Sequence, residues 1–230
     1  MLNPSPLVID DMIKVVSLLE NPPTSGPVWE VLKDYQPPQF SKTQWSNVLP
    51  WLTHYECPQD PWELDQMLQF VKGKNSLLEI GSSFGGTLKR MAAVLAPGAR
   101  VVSVDLACDE TPVFLNPVDS LRKNCKFIAE KLGHDVHLIL ADSHSAETID
   151  NVMRLGPFDF GFIDGDHSYE GVTADWENYG PMCRTMAFHD IAAGPVGCIT
   201  FWNELKESSR KTVELIHDTR RFGIGVVLGD

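Results

Sequence analysis

The 230-residue chain has no apolar run of membrane-spanning length, and Met1 to Asp10 has neither a basic start nor an apolar signal core. A membrane protein or an exported one is therefore not expected, which leaves the cytoplasm as the expected compartment. Paired cysteines are missing too. Cys57, Cys108, Cys125, Cys183 and Cys198 stand singly, without a C-x-x-C pair or the dense spacing of a disulfide framework, and read as reduced thiols that mostly fill the core. Positive charge is scarce: 19 Lys and Arg stand against 31 Asp and Glu, a formal net charge of -12, and no basic run exceeds pairs such as Lys89-Arg90 and Arg220-Arg221. That opposes nucleic acid as a substrate, because phosphate neutralisation supplies much of the affinity in such complexes. Nor is there an internal repeat or a low-complexity tract. The expected partner is a small molecule, with no membrane and no nucleic acid, and a homo-oligomer is left open.

What is present suits one core of good size: 43% of residues are apolar and 22% charged. Residues 1–60 differ in texture from the rest. Asn21-Pro-Pro-Thr-Ser-Gly-Pro27 and Gln36-Pro-Pro-Gln39 break them into pieces, with Trp29, Trp45 and Trp51 between. We read them as an N-terminal extension with a helix over Ile9–Leu19, packed by its tryptophans and a candidate lid, ahead of a catalytic domain over residues 61–230 that starts with a helix at Pro61–Val71.

From Ser76 onward short apolar strands alternate with helical patterns, the mark of βαβ units and a doubly wound, mostly parallel α/β sheet. Seven strands are expected near Ser76–Ile80, Arg100–Asp105, Val136–Ala141, Phe158–Asp164, Arg184–His189, Thr212–His217 and Phe222–Leu228. Helices are expected over Gly86–Leu95, Val118–Leu132, Ala146–Leu155, Tyr169–Tyr179 and Cys198–Ser208. Only Asp218 to Arg221 separates the last two strands, too short for a crossover helix, so they must form an antiparallel hairpin.

Ligands of such a sheet bind beyond the carboxyl ends of its strands. The first strand end reads Leu77-Leu-Glu-Ile-Gly-Ser-Ser-Phe-Gly-Gly86. Gly81 permits a tight turn, and Gly85 and Gly86 let a ligand approach the backbone where a helix begins. A dinucleotide fingerprint would place glycine where Ser83 stands. The second strand ends in Asp105, about 20 residues after the glycines, where a carboxylate can accept both ribose hydroxyls; the alternative there is a cap. The third ends in Asp142-Ser143, with a helix cap as the alternative role for Asp142.

A parallel sheet with one antiparallel hairpin resembles class I S-adenosylmethionine-dependent methyltransferases, and Glu79-Ile-Gly-x-x-x-Gly-Gly86 resembles their first motif. The resemblance implies that Glu79, Gly81, Ser82, Ser83 and Gly85 surround the methionine part of the cofactor, Asp105 its ribose, and Asp142 with Ser143 its adenine.

The fourth strand ends in Ile163-Asp-Gly-Asp-His-Ser-Tyr-Glu-Gly-Val172, and the fifth delivers His189-Asp190 to the same sheet edge. With Phe188-His-Asp-Ile191 and Phe201-Trp-Asn-Glu-Leu205, this resembles the family of sugar and macrolide O-methyltransferases and cephalosporin hydroxylase-like proteins, over Leu77 to Leu205. The resemblance implies a divalent cation on Asp164 and Asp190, with His167 as the base that removes the acceptor's proton and Asp164 as its catalytic partner. Two departures stand out: His189 precedes Asp190 where some relatives carry a second acid, and Met182-Cys-Arg-Thr185 replaces the usual Pro-Gly-Gly. Mg²⁺ suits the two acids, while His189 as a third ligand tilts towards Mn²⁺ or iron.

The implied function is metal-assisted O-methylation of a hydroxyl on a small acceptor, a sugar or natural product. One rival is iron-dependent hydroxylation on a facial set of two histidines and one carboxylate; another is a cofactor-binding subunit without turnover. Elsewhere, Asp166 and His189 have an orienting role as their alternative. Tyr169 and Trp176 read as packing residues and Asp175 as part of a solvated face. His54, His134, His137, His144 and His217 have no partner readable from spacing.

Overall fold

The computed structural model describes residues 59–106, 117–192, 194–208, 210–217 and 222–229. The N-terminal extension, its helix and its candidate lid role, Cys57, Cys108, His54 and the turn at Asp218 to Arg221 lie outside them.

Alternation of strand and helix gives α1 (Pro61–Val71), β1 (Ser76–Ile80), α2 (Gly86–Ala92), β2 (Arg100–Asp105), α3 (Pro117–Leu132), β3 (Asp135–Leu140) and α4 (Ala146–Leu155). It continues with β4 (Phe160–Ile163), α5 (Tyr169–Tyr179), a 3-10 turn at Gly180–Met182, β5 (Thr185–Phe188), α6 (Val196–Glu207), β6 (Lys211–Leu215) and β7 (Ile224–Leu228). The strands form one seven-stranded sheet in the order β3-β2-β1-β4-β5-β7-β6. This is the doubly wound sheet expected from the sequence. The pairs from β3 through β5 are parallel, while β7 runs antiparallel to both β5 and β6. The expected hairpin therefore inserts its second strand beside β5 and leaves β6 at the edge.

The sheet separates two apolar layers, as a parallel sheet buried on both faces requires. Leu77 and Val101 face the layer formed by Leu64 and Met67 of α1, Leu88 and Met91 of α2, and Leu121 and Ile128 of α3. Leu78, Ile80 and Val102 face the other, formed by Val152 of α4, Val172 and Tyr179 of α5, and Phe201, Trp202 and Leu205 of α6. Caps fix where the helices begin. Asp60 Oδ1 accepts from the backbone N–H groups of Trp62 and Glu63, with Pro61 opening α1, and Ser145 and Ser168 cap α4 and α5. Cys125 and Cys198 are buried, Cys183 is partly so, and all three are free thiols, in keeping with their expected role as filler.

Strand register positions the site. Ile80 pairs with Val104 on one side and Ile163 on the other, Val104 with Ile139, and Ile163 with Phe188. The next residues, Gly81, Asp105, Asp164 and His189, therefore fall in one row at the carboxyl edge. That row crosses the boundary between β1 and β4, where the strand order reverses and a crevice must open.

Candidate active site

Gly81 leaves β1 at φ +83, and a Cβ there would lie 2.2 Å from the carbonyl oxygen of Asp164. No other residue allows the two strand ends to approach so closely. Ser83, at the position where a dinucleotide fingerprint wants glycine, adopts φ 49 all the same. This left-handed turn aims its backbone N–H at Asp105 Oδ2, 2.7 Å away, so the β1 loop and the β2 acid are joined at the cavity rim.

The cavity over this edge has a volume of about 500 Å³ and is lined by Gly81 and Ser83, Asp105 and Leu106, Asp142 to His144, and Asp164 to Asp166, among others. It is large enough for a nucleoside-bearing cofactor. Of the eight residues expected around the cofactor, Gly81, Ser83, Asp105, Asp142 and Ser143 are on this wall, and Glu79, Ser82 and Gly85 are not. Ser82 is buried, its hydroxyl 2.7 Å from that of Ser103. Gly85 opens α2 in the left-handed conformation and packs on Leu121 and Asn124. Glu79 is 1% exposed, with neither carboxylate oxygen hydrogen-bonded. Burial, reinforced by the nearby Asp164 and Asp105 charges, pushes its carboxyl up to about 8 against a partial offset from Ser82.

Beside the cavity, Asp164, His167, His189 and Asp190 meet in a closed cluster. His167 Nε2 lies 3.4 Å from Asp164 Oδ1 and its Nδ1 3.0 Å from Asp190 Oδ2. His189 Nδ1 lies 3.0 Å from Asp164 Oδ1 and 3.4 Å from Asp190 Oδ1. The ring of His189 is stacked on Phe222, with Phe162 edge-on. Asp190 holds φ 61, a conformation uncommon outside glycine and often found at functional sites.

Contact with Asp164 and then Asp190 raises the His167 imidazole to about 10 against the effect of burial, so it carries its proton at neutral pH. Burial opposes the charge on His189, yet Asp164 and Asp190 raise its proton affinity. Burial likewise opposes the charge on Asp164, and the imidazoles of His189 and His167 hold it below the usual carboxylate range. All four residues predicted to carry the chemistry are thus together.

The spacing of the sequence gave no sign of Gln59. Buried just before the cap of α1, it donates from Nε2 to Asp164 Oδ2 at 2.8 Å, while its Oε1 has no hydrogen-bond partner. Asp166 takes the orienting role: its Oδ1 accepts from Ser168 N at the start of α5. Asp142 Oδ1 accepts from His144 N.

Other expectations need correction. Asp175 is on no solvated face but fully buried, bonded to Ser143 and 3.1 Å from His144. Tyr169 does not pack the helix; it is 37% exposed and donates to Glu204. Trp176 does pack, against Phe188. The histidines without a partner readable from spacing lie beside groups distant in sequence or adjacent on a strand: His134 at the Ala92 carbonyl, His137 near Asp135, His144 near Asp175 and His217 near Asp60.

The strand order, the single reversed strand and the cavity at the switch point define the class I methyltransferase fold. Residues 78–191 match the model of a family described as a methyltransferase domain. Over that stretch the chain therefore resembles a methyltransferase domain, carried on the class I methyltransferase fold. Among solved structures it is similar to the O-methyltransferase from Bacillus cereus in complex with S-adenosylhomocysteine, at 18% identity and a TM-score of 0.53, over 99% of this chain and 93% of that one. It is also similar to a putative caffeoyl-CoA O-methyltransferase from Staphylococcus aureus, at 18% identity and a TM-score of 0.59, over 83% and 94%. A third is the O-methyltransferase TomG from Streptomyces achromogenes, involved in tomaymycin synthesis and in complex with S-adenosylmethionine, at 15% identity and a TM-score of 0.52, over 77% and 86%. At these identities the likeness is one of fold. No curated protein matches the chain.

Proposed function

We propose that this chain transfers the methyl group of S-adenosylmethionine to a hydroxyl on a small molecule, a sugar or a natural product. The observation that carries the reading is the juxtaposition of a nucleoside-sized cavity with the Asp164–His167–Asp190 array, Asp164 belonging to both. Similar solved structures described as O-methyltransferases support hydroxyl as the acceptor class. When bound, S-adenosylmethionine supplies an electrophilic methyl on a sulfonium. The residues that would hold it are Asp105 at the ribose, Asp142 and Ser143 at the base, and the Gly81–Ser83 turn at the methionine end.

His167 supplies the proton acceptor in this reading. It is 35% exposed at the side chain, the most accessible of its cluster, and its contact to Asp164 is longer than that to Asp190. An acceptor hydroxyl that replaces the Asp164 contact leaves Nδ1 held by Asp190 and turns Nε2 towards the hydroxyl. One carboxylate then orients the ring, as in other acid-supported histidine bases. With only one carboxylate in contact, the ring's proton affinity falls and the Nε2 proton passes to solvent as the acceptor binds, so the neutral ring can take the hydroxyl proton at Nε2 as oxygen attacks the methyl. Asp164, displaced from the ring, keeps its bond to Gln59 and faces the reacting atoms.

The donors of Asp164, Asp190 and His189 are of the type that binds divalent cations, but as arranged each faces another member of the cluster. Among the described residues no group of three or more His, Cys, Asp or Glu is set to hold a metal ion. The residues thus do not fit a bound cation in this arrangement.

The test is calorimetry with S-adenosylhomocysteine, followed by release of S-adenosylhomocysteine from S-adenosylmethionine across a panel of sugars and hydroxylated natural products. His167→Ala should keep cofactor affinity within about threefold and lower turnover by roughly 10²–10⁴-fold. Absence of cofactor binding in the wild type would overturn the reading; near-normal turnover in His167→Ala would remove His167 as the base.

A further inference from the structure

We propose that Asp175 is a positioning residue for the nucleobase end of the cofactor cavity, acting through Ser143 and His144. This rests on the cofactor reading above and names what fixes its selectivity. Asp175 is 0% exposed, a poor place for a carboxylate that served the fold alone, since a buried charge is replaceable by an apolar group at little or no loss of stability. Burial pushes its carboxyl up to about 6.

Its contacts are to two consecutive residues of the cavity wall. Ser143 Oγ donates to Asp175 Oδ1 at 2.9 Å, and His144 Nε2 lies 3.1 Å from the same oxygen. One turn further along α5, the Tyr179 hydroxyl donates to the Ser143 carbonyl. The hydroxyl and carbonyl of Ser143 are therefore both tied back towards α5, and the ring of His144 lies against the same carboxylate. Asp142 belongs to the same cavity lining, its carboxylate held by the bond from His144 N.

Asp175 also lies near the loop that follows β4. A Cβ on Gly165, another cavity residue, would sit 3.5 Å from Asp175 Oδ2, an oxygen with no hydrogen-bond partner. One side chain thus lies close to both loops, the one after β3 and the one after β4. A wall of fixed N–H and carboxylate groups discriminates by pairing, because a ligand that presents donor against donor leaves buried groups unsatisfied. Adenine offers a 6-amino donor beside a ring-nitrogen acceptor, and hypoxanthine offers the reverse.

The experiment compares S-adenosylhomocysteine with S-inosylhomocysteine by calorimetry on the wild type, Asp175→Ala, Asp175→Asn and Ser143→Ala, with thermal unfolding of each. The wild type should prefer the adenine ligand. Asp175→Ala should weaken its affinity for that ligand by about tenfold or more and bring the ratio of the two affinities towards one. Asp175→Asn, which keeps an acceptor for Ser143, should fall between. Ser143→Ala should lose part of the preference at near-native unfolding temperature, and it decides the matter with Asp175→Asn if Asp175→Ala does not fold. A wild type indifferent to the base, or variants that lower only the unfolding temperature and keep both affinity and preference, would overturn the proposal while leaving the cofactor reading standing. A wild type that binds neither ligand would remove that reading and the proposal with it.

Discussion

Two acids that sequence reasoning would treat alike meet different fates because of a few ångströms of packing. Asp105 lies at the rim with a backbone N–H to hold; Glu79, on the neighbouring strand, is sealed in without a hydrogen bond. Its acidity has a thermodynamic consequence. The folded state keeps the Glu79 proton up to about pH 8, while a free glutamate side chain loses its proton near 4.5. Below the unfolded value both states are protonated and nothing is lost. As pH rises between the two values the unfolded chain releases a proton that the folded one retains, so stability falls, and above the folded value the whole penalty is present. At about 1.4 kcal/mol for each tenfold change in proton affinity, the penalty is on the order of several kcal/mol. Glu79→Gln in the ligand-free protein should therefore raise the unfolding temperature at pH 9 by roughly 10–20 °C and barely change it at pH 5. Equal shifts at both pH values, measured by calorimetry, would show that Glu79 is not a buried acid.

Elements were more legible than the contacts between them. β1 and β2 carry short, mostly apolar runs interrupted only by Glu79 and Ser103, and α4 and α5 begin at serine caps, so all four are legible from local chemistry. β4 is shorter than its apolar run because Phe158 makes only an isolated bridge to Cys183, while Asp159 is diverted to cap Asn75 N. At the site, strand ends announced Asp105, Asp164, His167 and Asp190, since sheet topology alone brings them together. Asp175 could have been placed from Val172 and Tyr179, which share its helical face, but its charge outweighed its spacing. Gln59 and Glu63 could not, as nothing local tells that the start of α1 meets β4 and the C-terminal strands. Glu63 is 0% exposed and accepts from His217 N at 3.0 Å and Gly223 N at 3.1 Å, tying α1 to the two residues that flank the hairpin turn. Glu63→Ala leaves those amides without their acceptor and should cost about 2–4 kcal/mol in urea unfolding, with faster hydrogen exchange at both. Glu63→Gln, which retains one acceptor oxygen, should cost less. A loss below about 0.5 kcal/mol for the alanine variant would mean the joint is superficial.

At the scale of the whole domain, the site belongs to the sheet rather than to any one loop. Ends of β1, β2, β3 and β4 all border the cavity, and those strands belong to the parallel part of the sheet, so a ligand that fills it fastens four separate chain segments at the switch point. Binding to the folded state alone stabilises by about 2.7 kcal/mol at a ligand concentration of 100 times Kd. In a domain of this size that corresponds to roughly 5–10 °C in unfolding temperature. S-adenosylhomocysteine should produce such a rise, and nicotinamide dinucleotide should not, because Ser83 with its side chain stands where the fingerprint for a pyrophosphate needs glycine. Asp105→Ala should reduce the rise through lost ribose hydrogen bonds, and hydrogen exchange should slow in the loops after β1 to β4 while the β6–β7 edge keeps its rate. A larger rise with the dinucleotide than with S-adenosylhomocysteine, in scanning calorimetry at matched concentration, would overturn the assignment of the cavity to a methyl donor.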